Sequence, residues 1–403
     1  MAARKALGPY ARGRLVVRAL GQTLALDVPH DVFSSQRIDD GTLLLLDHLP
    51  AGEPRSVLDL GCGYGALGLP VAARFPAARC VLLDRDLLAV AASAHNARVL
   101  GLTNATVQPG LGYRGLQAER FDWVLCNVPA RIGARAIRYL LEGGRALGAE
   151  VRAVVIRDLA QVVEGLGLPG LTHVARGPRH DVFSLARSPA ADTGTARAGT
   201  AVETNAAAGV AVDAPSALDL DDDAVYARDQ TNFDGLSLFR PHDASEDPAH
   251  LAALALLAEP LPRKQPKNAF VFRANYGALP LAIKARHPGC EVVAQDRDLL
   301  DTAFLRRNAA ALRLPVEVLE DLFWGETMNG RVFSLVCGEL AAPPGAAVAK
   351  SELNQAAQLL APGGEALILA SEKQEREWLR GQAATVLLRR GPWCVLRISR
   401  PRG

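Results

Sequence analysis

Val57-Leu58-Asp59-Leu60-Gly61-Cys62-Gly63-Tyr64-Gly65-Ala66-Leu67-Gly68 sets three apolar residues around one aspartate and then gives way to glycines at positions 61, 63, 65 and 68. Such a run reads as a buried strand that ends in a tight turn and opens a helix. Glycines at the turn let the backbone take positive φ and let a ligand approach without a Cβ in the way, and the helix start offers unpaired N–H groups. A cofactor belongs at a turn of this kind.

Gly63-Tyr64-Gly65-Ala66-Leu67-Gly68 also satisfies the G-x-G-x-x-G pattern of dinucleotide sites, so the glycines alone leave nicotinamide and other adenosine cofactors open. Asp59, two residues before the first glycine, would crowd an anionic pyrophosphate but suits the ammonium of a methionine moiety. Leu82-Leu83-Asp84 reads as a second strand ending in an acid, placed to accept hydrogen bonds from ribose hydroxyls. The whole string resembles motif I of the class I methyltransferases and matches it at each hallmark position. That resemblance implies S-adenosylmethionine (SAM) as cofactor, with Asp59, Gly61, Cys62, Gly63, Gly65, Asp84 and Arg85 around it. A glycine turn without a ligand is the structural alternative. A nicotinamide oxidoreductase is disfavoured because no hydride-transfer residues accompany the glycines.

A chain of 403 residues is long enough for two or three domains, and 49% apolar with 22% charged residues is ordinary globular composition. A net charge of +2 does not announce nucleic-acid binding, so any basic surface must be a local patch. The six cysteines form no C-x-x-C pair and do not cluster with histidines, which argues against a zinc site or a disulfide framework. No metal is expected. With no apolar run of the ~20 residues a membrane span needs, and no apolar core in the basic N-terminus, the expected location is the cytoplasm, away from membranes.

Residues 14–28 alternate apolar and polar side chains and suggest a hairpin. A loop from His30 follows, then an apolar helix starting near Asp39 or Asp40. Strands are expected near 56–60, 79–84, 105–108, 121–126 and 151–156, with helices near 66–75, 86–100, 133–148 and 158–166. Segments 171–176 and 180–187 would close the sheet as an antiparallel pair. This alternation implies a mostly parallel sheet with helices on both faces. The Ala-, Thr-, Gly- and Asp-rich stretch from Ser188 to about Asp222 reads as a flexible linker.

Beyond it the first half recurs. Tyr64–Pro76, YGALGLPVAARFP, is answered by YGALPLAIKARHP at Tyr276–Pro288; DRDLL at Asp84–Leu88 returns unchanged at Asp296–Leu300; NARVLGL at Asn96–Leu102 matches NAAALRL at Asn308–Leu314. The α/β fold class expected is therefore two tandem Rossmann-like class I methyltransferase domains, 1–187 and 223–403. The C-terminal copy reads as degenerate: VLDLGCGYG has become VFRANYG, read as a loss of two residues with Arg273 where Asp59 or Leu60 would be. The C-terminal copy is not expected to bind SAM in the usual way, and its Asp296 reads as residual or as a helix-starting acid.

The chemistry is expected after the fourth strand, where Phe121–Cys126 runs into Asn127-Val128-Pro129-Ala130. This resembles the Asn-Pro-Pro-aromatic motif of methyltransferases that modify planar amino or amide nitrogens. There the Asn oxygen and the next backbone carbonyl grip both N–H bonds and aim the lone pair at the methyl group. Asn127, Val128 and Pro129 are the catalytic candidates. Val128 replaces the first proline and Ala130 the aromatic that would stack on the target, so Phe33 and Arg131 are candidate platforms beside Ala130. Asn127 as a helix cap or strand terminator is the structural alternative. His95 and His48 read as solvated or core-edge residues, Cys62 and Cys126 as small buried thiols, and Tyr64 as a packing residue. Together with the lead-in VFS…DDGTLLLL and Gly133, the motifs resemble the tandem-domain enzymes that methylate guanine N2 in ribosomal RNA. In that family the C-terminal copy is catalytic, whereas here the intact motifs lie in the N-terminal one. The resemblance implies ribosomal RNA or a ribosomal subunit as partner and a monomer of two pseudo-repeats. Protein glutamine or a small molecule as acceptor, and a catalytically silent RNA-binding protein, remain alternatives.

Overall fold

The computed structural model describes residues 7–187, 219, 222–243, 248–322, 328, 330–340, 345–378 and 384–401. Most of the expected linker lies outside the described residues. The first half opens with an antiparallel hairpin, β1 (Ala11–Ala19) and β2 (Gln22–Pro29), turning at Leu20-Gly21. Then come α1 (Asp40–Leu46), β3 (Ser56–Leu60), α2 (Gly68–Arg74), β4 (Arg79–Asp84), α3 (Leu87–Val99), β5 (Ala105–Pro109) and β6 (Trp123–Asn127). The half closes with α4 (Ala134–Ala146), β7 (Glu150–Ile156), α5 (Arg157–Gly165), β8 (Leu171–Arg176) and β9 (His180–Leu185). The seven strands β3–β9 form one sheet in the order β5-β4-β3-β6-β7-β9-β8, parallel except where β9 pairs with β7 and β8. The expected elements are all present, with ends moved by at most three residues.

Both faces of this sheet are covered, which is why the central strands are apolar almost throughout. Leu58 and Leu60 feed one apolar cluster and Val57 the other, as the two-residue strand period requires. Leu58, Leu82 and Leu125 are wholly shielded from solvent. Burying a leucine side chain contributes ~1.5–3 kcal/mol each.

The second half repeats the plan. Its hairpin is β10 (Ala227–Phe233) and β11 (Leu236–Pro241), followed by α6 (Pro248–Ala258), β12 (Asn268–Phe272), α7 (Ala278–Arg286), β13 (Glu291–Asp296), α8 (Leu299–Leu312) and β14 (Glu317–Glu320). It ends with β15 (Phe333–Glu339), α9 (Ala346–Gln358), β16 (Leu360–Ser371), α10 (Glu372–Trp378), β17 (Thr385–Arg390) and β18 (Trp393–Ser399). The sheet order β14-β13-β12-β15-β16-β18-β17 is that of the first half, strand for strand.

The register corrects the sequence alignment of the two copies. No residues are lost in the turn: Gly61, Gly63, Tyr64 and Gly65 stand opposite Arg273, Asn275, Tyr276 and Gly277. The same hydrogen bond closes both turns, from the Gly63 N–H to Asp84 at 2.8 Å and from the Asn275 N–H to Asp296 at 2.8 Å. Arg273 therefore replaces Gly61, not Asp59 or Leu60, and Glu339 holds the place of Asn127 at the end of β15. The turn keeps its shape without its first two glycines, with φ of +48° at both Arg273 and Asn275.

The halves meet about a pseudo-two-fold axis that relates DRDLL to DRDLL. Asp86 and Asp298 form an antiparallel bridge; the Leu87 N–H donates to the Arg297 carbonyl at 3.1 Å and the Leu299 N–H to the Arg85 carbonyl at 3.0 Å. The side chains follow the same symmetry. Arg85 pairs with Asp243 (2.5 Å) and Asp298 (3.2 Å), and Arg297 pairs with Asp31 (3.0 Å) and Asp86 (3.1 Å). An apolar cluster crosses the boundary through Tyr139 and Tyr226, whose ring centroids are 5.8 Å apart.

Candidate functional site

The carboxyl ends of β3, β4 and β6 converge at one edge of the first sheet, the place where open α/β sheets bind ligands. At the end of β3, Gly61 and Gly63 have φ of +81° and +58°, and a Cβ built on either would meet nothing within 4 Å. The space over the turn is open, so it is backbone conformation, not a protein neighbour, that calls for glycine there.

Asp59 lies beneath the turn and is 1% exposed. Its Oδ2 accepts the Gly68 N–H at 2.8 Å, while its Oδ1 has no hydrogen-bond partner among the described residues. Burial pushes its pKa up to about 7, opposed by the Gly68 bond and helped by the charge of Asp84. A buried carboxylate with an unpaired oxygen beside a turn with room above it suits a cationic group of a ligand. Asp84, at the end of β4, accepts from the N–H groups of Gly63 and Asp86 at 2.8 and 2.9 Å, and its pKa too is raised by burial. These bonds fix the carboxylate's orientation while leaving lone pairs for a hydroxyl donor.

The residue after Asp84 behaves differently. Arg85 sends its guanidinium into the contact with the second half, where Asp298 and Asp243 more than offset the burial of its charge and raise its pKa. Cys62 and Cys126 are buried, and their thiols are pushed up by burial, Cys126 to about 12. Both stay protonated near neutral pH, which removes them as nucleophiles.

Asn127 is the last residue of β6, and the following helix is capped by Gly133, so Asn127 ends a strand and caps nothing. Its Nδ2 donates to Asp39 Oδ2 at 3.0 Å and to Thr42 Oγ1 at 3.1 Å. A carboxylate can only accept, so the amide must turn its NH2 to Asp39 and its oxygen the other way. That oxygen takes no hydrogen bond from any described residue. Asp39 also caps α1 through the Thr42 N–H at 3.1 Å, so one helix start fixes one amide. Neither Asp39 nor Thr42 was legible as a site residue; the only signal was an acid three residues before a threonine at a helix start. Next along the chain, the Val128 N–H is held by the Val154 carbonyl at 2.9 Å, while Pro129, Ala130 and Arg131 are exposed. Phe33 is 74% exposed, on the loop whose Ser34 carbonyl accepts from the Tyr64 hydroxyl at 3.3 Å. Tyr64 is thus a packing residue. His95 is not solvated: it is 2% exposed, with Nε2 2.9 Å from Asp27 Oδ2.

Residues 24–146 match the family described as Methyltransferase small domain. The matched residues lie within the first half of the chain. Ribosomal RNA small subunit methyltransferase C of Pseudomonas entomophila is 38% identical over 130 residues, which are 30% of this chain and 39% of that protein. Ribosomal RNA large subunit methyltransferase G of Pseudomonas fluorescens is 41% identical over 101 residues, 25% of this chain and 27% of that one. The match therefore spans well under half the length of these curated relatives. The T. thermophilus 16S rRNA N2 G1207 methyltransferase, solved with AdoMet and guanosine, shares the fold across both halves: 98% of this chain and 99% of that one, TM-score 0.66, 19% identity. The glycine turn, Asp84 and Asn127 all fall within residues 24–146. Among the described residues no cluster of His, Cys, Asp or Glu could hold a metal, and no helix is long and apolar enough to cross a membrane. A separate surface hollow of about 380 Å³, lined by Arg306, Arg313 and Pro315, opens on the second half and lies away from this site.

Proposed function

We propose that the chain is a SAM-dependent N-methyltransferase whose acceptor is the exocyclic N2 amine of a guanine in ribosomal RNA. The observation that carries this reading is the orientation of Asn127 by Asp39 and Thr42, which presents an unpaired amide oxygen at the strand edge beside the glycine turn. The bound SAM would supply an electrophilic methyl group. Asp59 would face its ammonium, the turn at Gly61, Cys62, Gly63 and Gly65 would follow its backbone, and Asp84 would accept from its ribose hydroxyls. The Asn127 oxygen and the Val128 carbonyl would each accept one N–H of the acceptor amine, turning its lone pair away from the aromatic system and toward the methyl group. No strong base is needed first, because the electrophile is already charged. Phe33, Ala130 and Arg131, all exposed at this edge, are proposed to meet the nucleic acid; the names of the ribosomal RNA methyltransferases that the small domain resembles support that substrate.

In the second half, Arg273 occupies the position of Gly61 and pairs with Glu352 at 2.7 Å, so that copy is proposed to take no SAM. The reading places the protein in a reducing compartment such as the cytoplasm, with its six thiols free. It is tested by calorimetry with SAM and by transfer of labelled methyl into ribosomal RNA, followed by nucleoside mass spectrometry. Asn127→Ala is expected to lower turnover on the order of 10²-fold, the scale set by loss of orientation, with SAM affinity unchanged. Thr42→Val should lower it less. Label appearing in protein and not in RNA would overturn the acceptor, and undiminished turnover in Asn127→Ala would overturn the mechanism.

A further inference from the structure

The segment 222–243 of the second half runs across the loops that follow β4, β5 and β6 of the first. After β4, Asp243 holds Arg85 at 2.5 Å. After β5, a Cβ on Gly112 would lie 2.7 Å from the hydroxyls of both Tyr139 and Tyr226. After β6, a Cβ on Gly133 would run into the His242 ring, so the start of α4 is packed directly against that ring. Two of these strand ends, β4 and β6, are the ones that carry Asp84 and Asn127.

The mirror image of this contact shows what it does. In the second copy His30 and Asp31 of the first half take the places of His242 and Asp243. The His30 ring lies 3.5 Å from a Cβ built on Gly345, and Asp31 reaches both Arg297 and Arg273. There the space over the turn holds an internal cation, Arg273, fixed by Glu352 and by the Tyr10 hydroxyl at 3.2 Å. Each half thus lays its Pro-His-Asp segment on the loops beside the other's turn, and only the first half's turn has open space above it. Asp31 and Asp243 even share the left-handed backbone, with φ of +65° and +72°.

We propose that the first half's SAM site is closed by the second half, with Asp243 and His242 as positioning residues. Asp243 holds Arg85 and so the segment that carries Asp84, and His242 holds the start of α4 and so the segment that leaves Asn127. The inference rests on the SAM reading of the turn. It gives the second copy a role at the site that needs no cofactor of its own.

The test uses the full chain and SAM itself, with affinity measured by calorimetry and folding followed by the thermal midpoint. Asp243→Asn is expected to weaken SAM binding about tenfold through loss of orientation, and Asp243→Glu to restore it. Asp234→Asn removes a comparable ion pair of the second half, with Arg286 at 2.7 Å, away from the contact between the halves, and is expected to leave SAM affinity within about twofold. Equal SAM affinity in wild type and Asp243→Asn would overturn the proposal while the SAM reading stood. An equal loss in Asp234→Asn would overturn it as well, since the effect would then be general destabilisation. Wild-type protein that binds no SAM would sink both readings at once.

Discussion

Asp59 sits beneath the glycine turn with one oxygen on the Gly68 N–H and the other unpaired, and burial raises its pKa to about 7. Its folded pKa lies above the ordinary aspartate value of 3.8, so its contribution to stability is complete below that value and is lost as pH rises through about 7. A cation bound beside it reverses the shift, because it favours the ionised form. SAM binding at pH 6 is therefore expected to release a proton, and affinity should rise between pH 6 and 8. Calorimetry in two buffers of different ionisation enthalpy measures the release, and in Asp59→Asn it should fall. A proton count that is the same in wild type and variant would exclude Asp59 as the group that meets the cation.

At the scale of elements, the same asparagine clamp ties hairpin to turn in both halves. Asn96, on α3, accepts the Asp27 N–H at 2.9 Å and donates to the carbonyls of Asp27 and Tyr64, tying hairpin to turn. Asn308, on α8, does the same for Phe239 and Tyr276. Both are buried, so replacing either by alanine strands backbone groups with no water to take them. Asn96→Ala and Asn308→Ala should each cost about 1–3 kcal/mol in urea unfolding. Only Asn96→Ala is expected to weaken SAM binding, because only its turn has open space above it. Equal SAM affinity in Asn96→Ala and wild type would mean that the clamp serves the fold and not the turn.

For the molecule as a whole, the contact between the halves is built from charges as well as apolar rings. Glu352 is 3% exposed and is held by Arg273, which in turn meets Tyr10 and Asp31 of the first half. Arg273→Ala leaves a buried carboxylate without its cation and should lower stability by about 3 kcal/mol, read from thermal unfolding. Pairing it with Glu352→Leu removes the charge and should recover most of that loss. If the double variant is no more stable than the single one, the ion pair is not what holds this corner.

The sequence by itself determined the local plan. Glycines, apolar runs and acids at strand ends act over a few residues, so the strand and helix order, the turn at Gly61–Gly65 and the tandem repeat could all be read from spacing. Tertiary structure decided what lies across from what. Asp39 and Thr42 are far from Asn127 in the chain, and only the packing of α1 against β6 turns the amide oxygen outward. The alignment that placed Arg273 opposite Asp59 or Leu60 failed because backbone shape, not residue identity, was retained in the second turn. Arg85 and Asp243 are ordinary surface charges in the sequence; they become partners because two copies of one fold meet about an axis that no local pattern encodes.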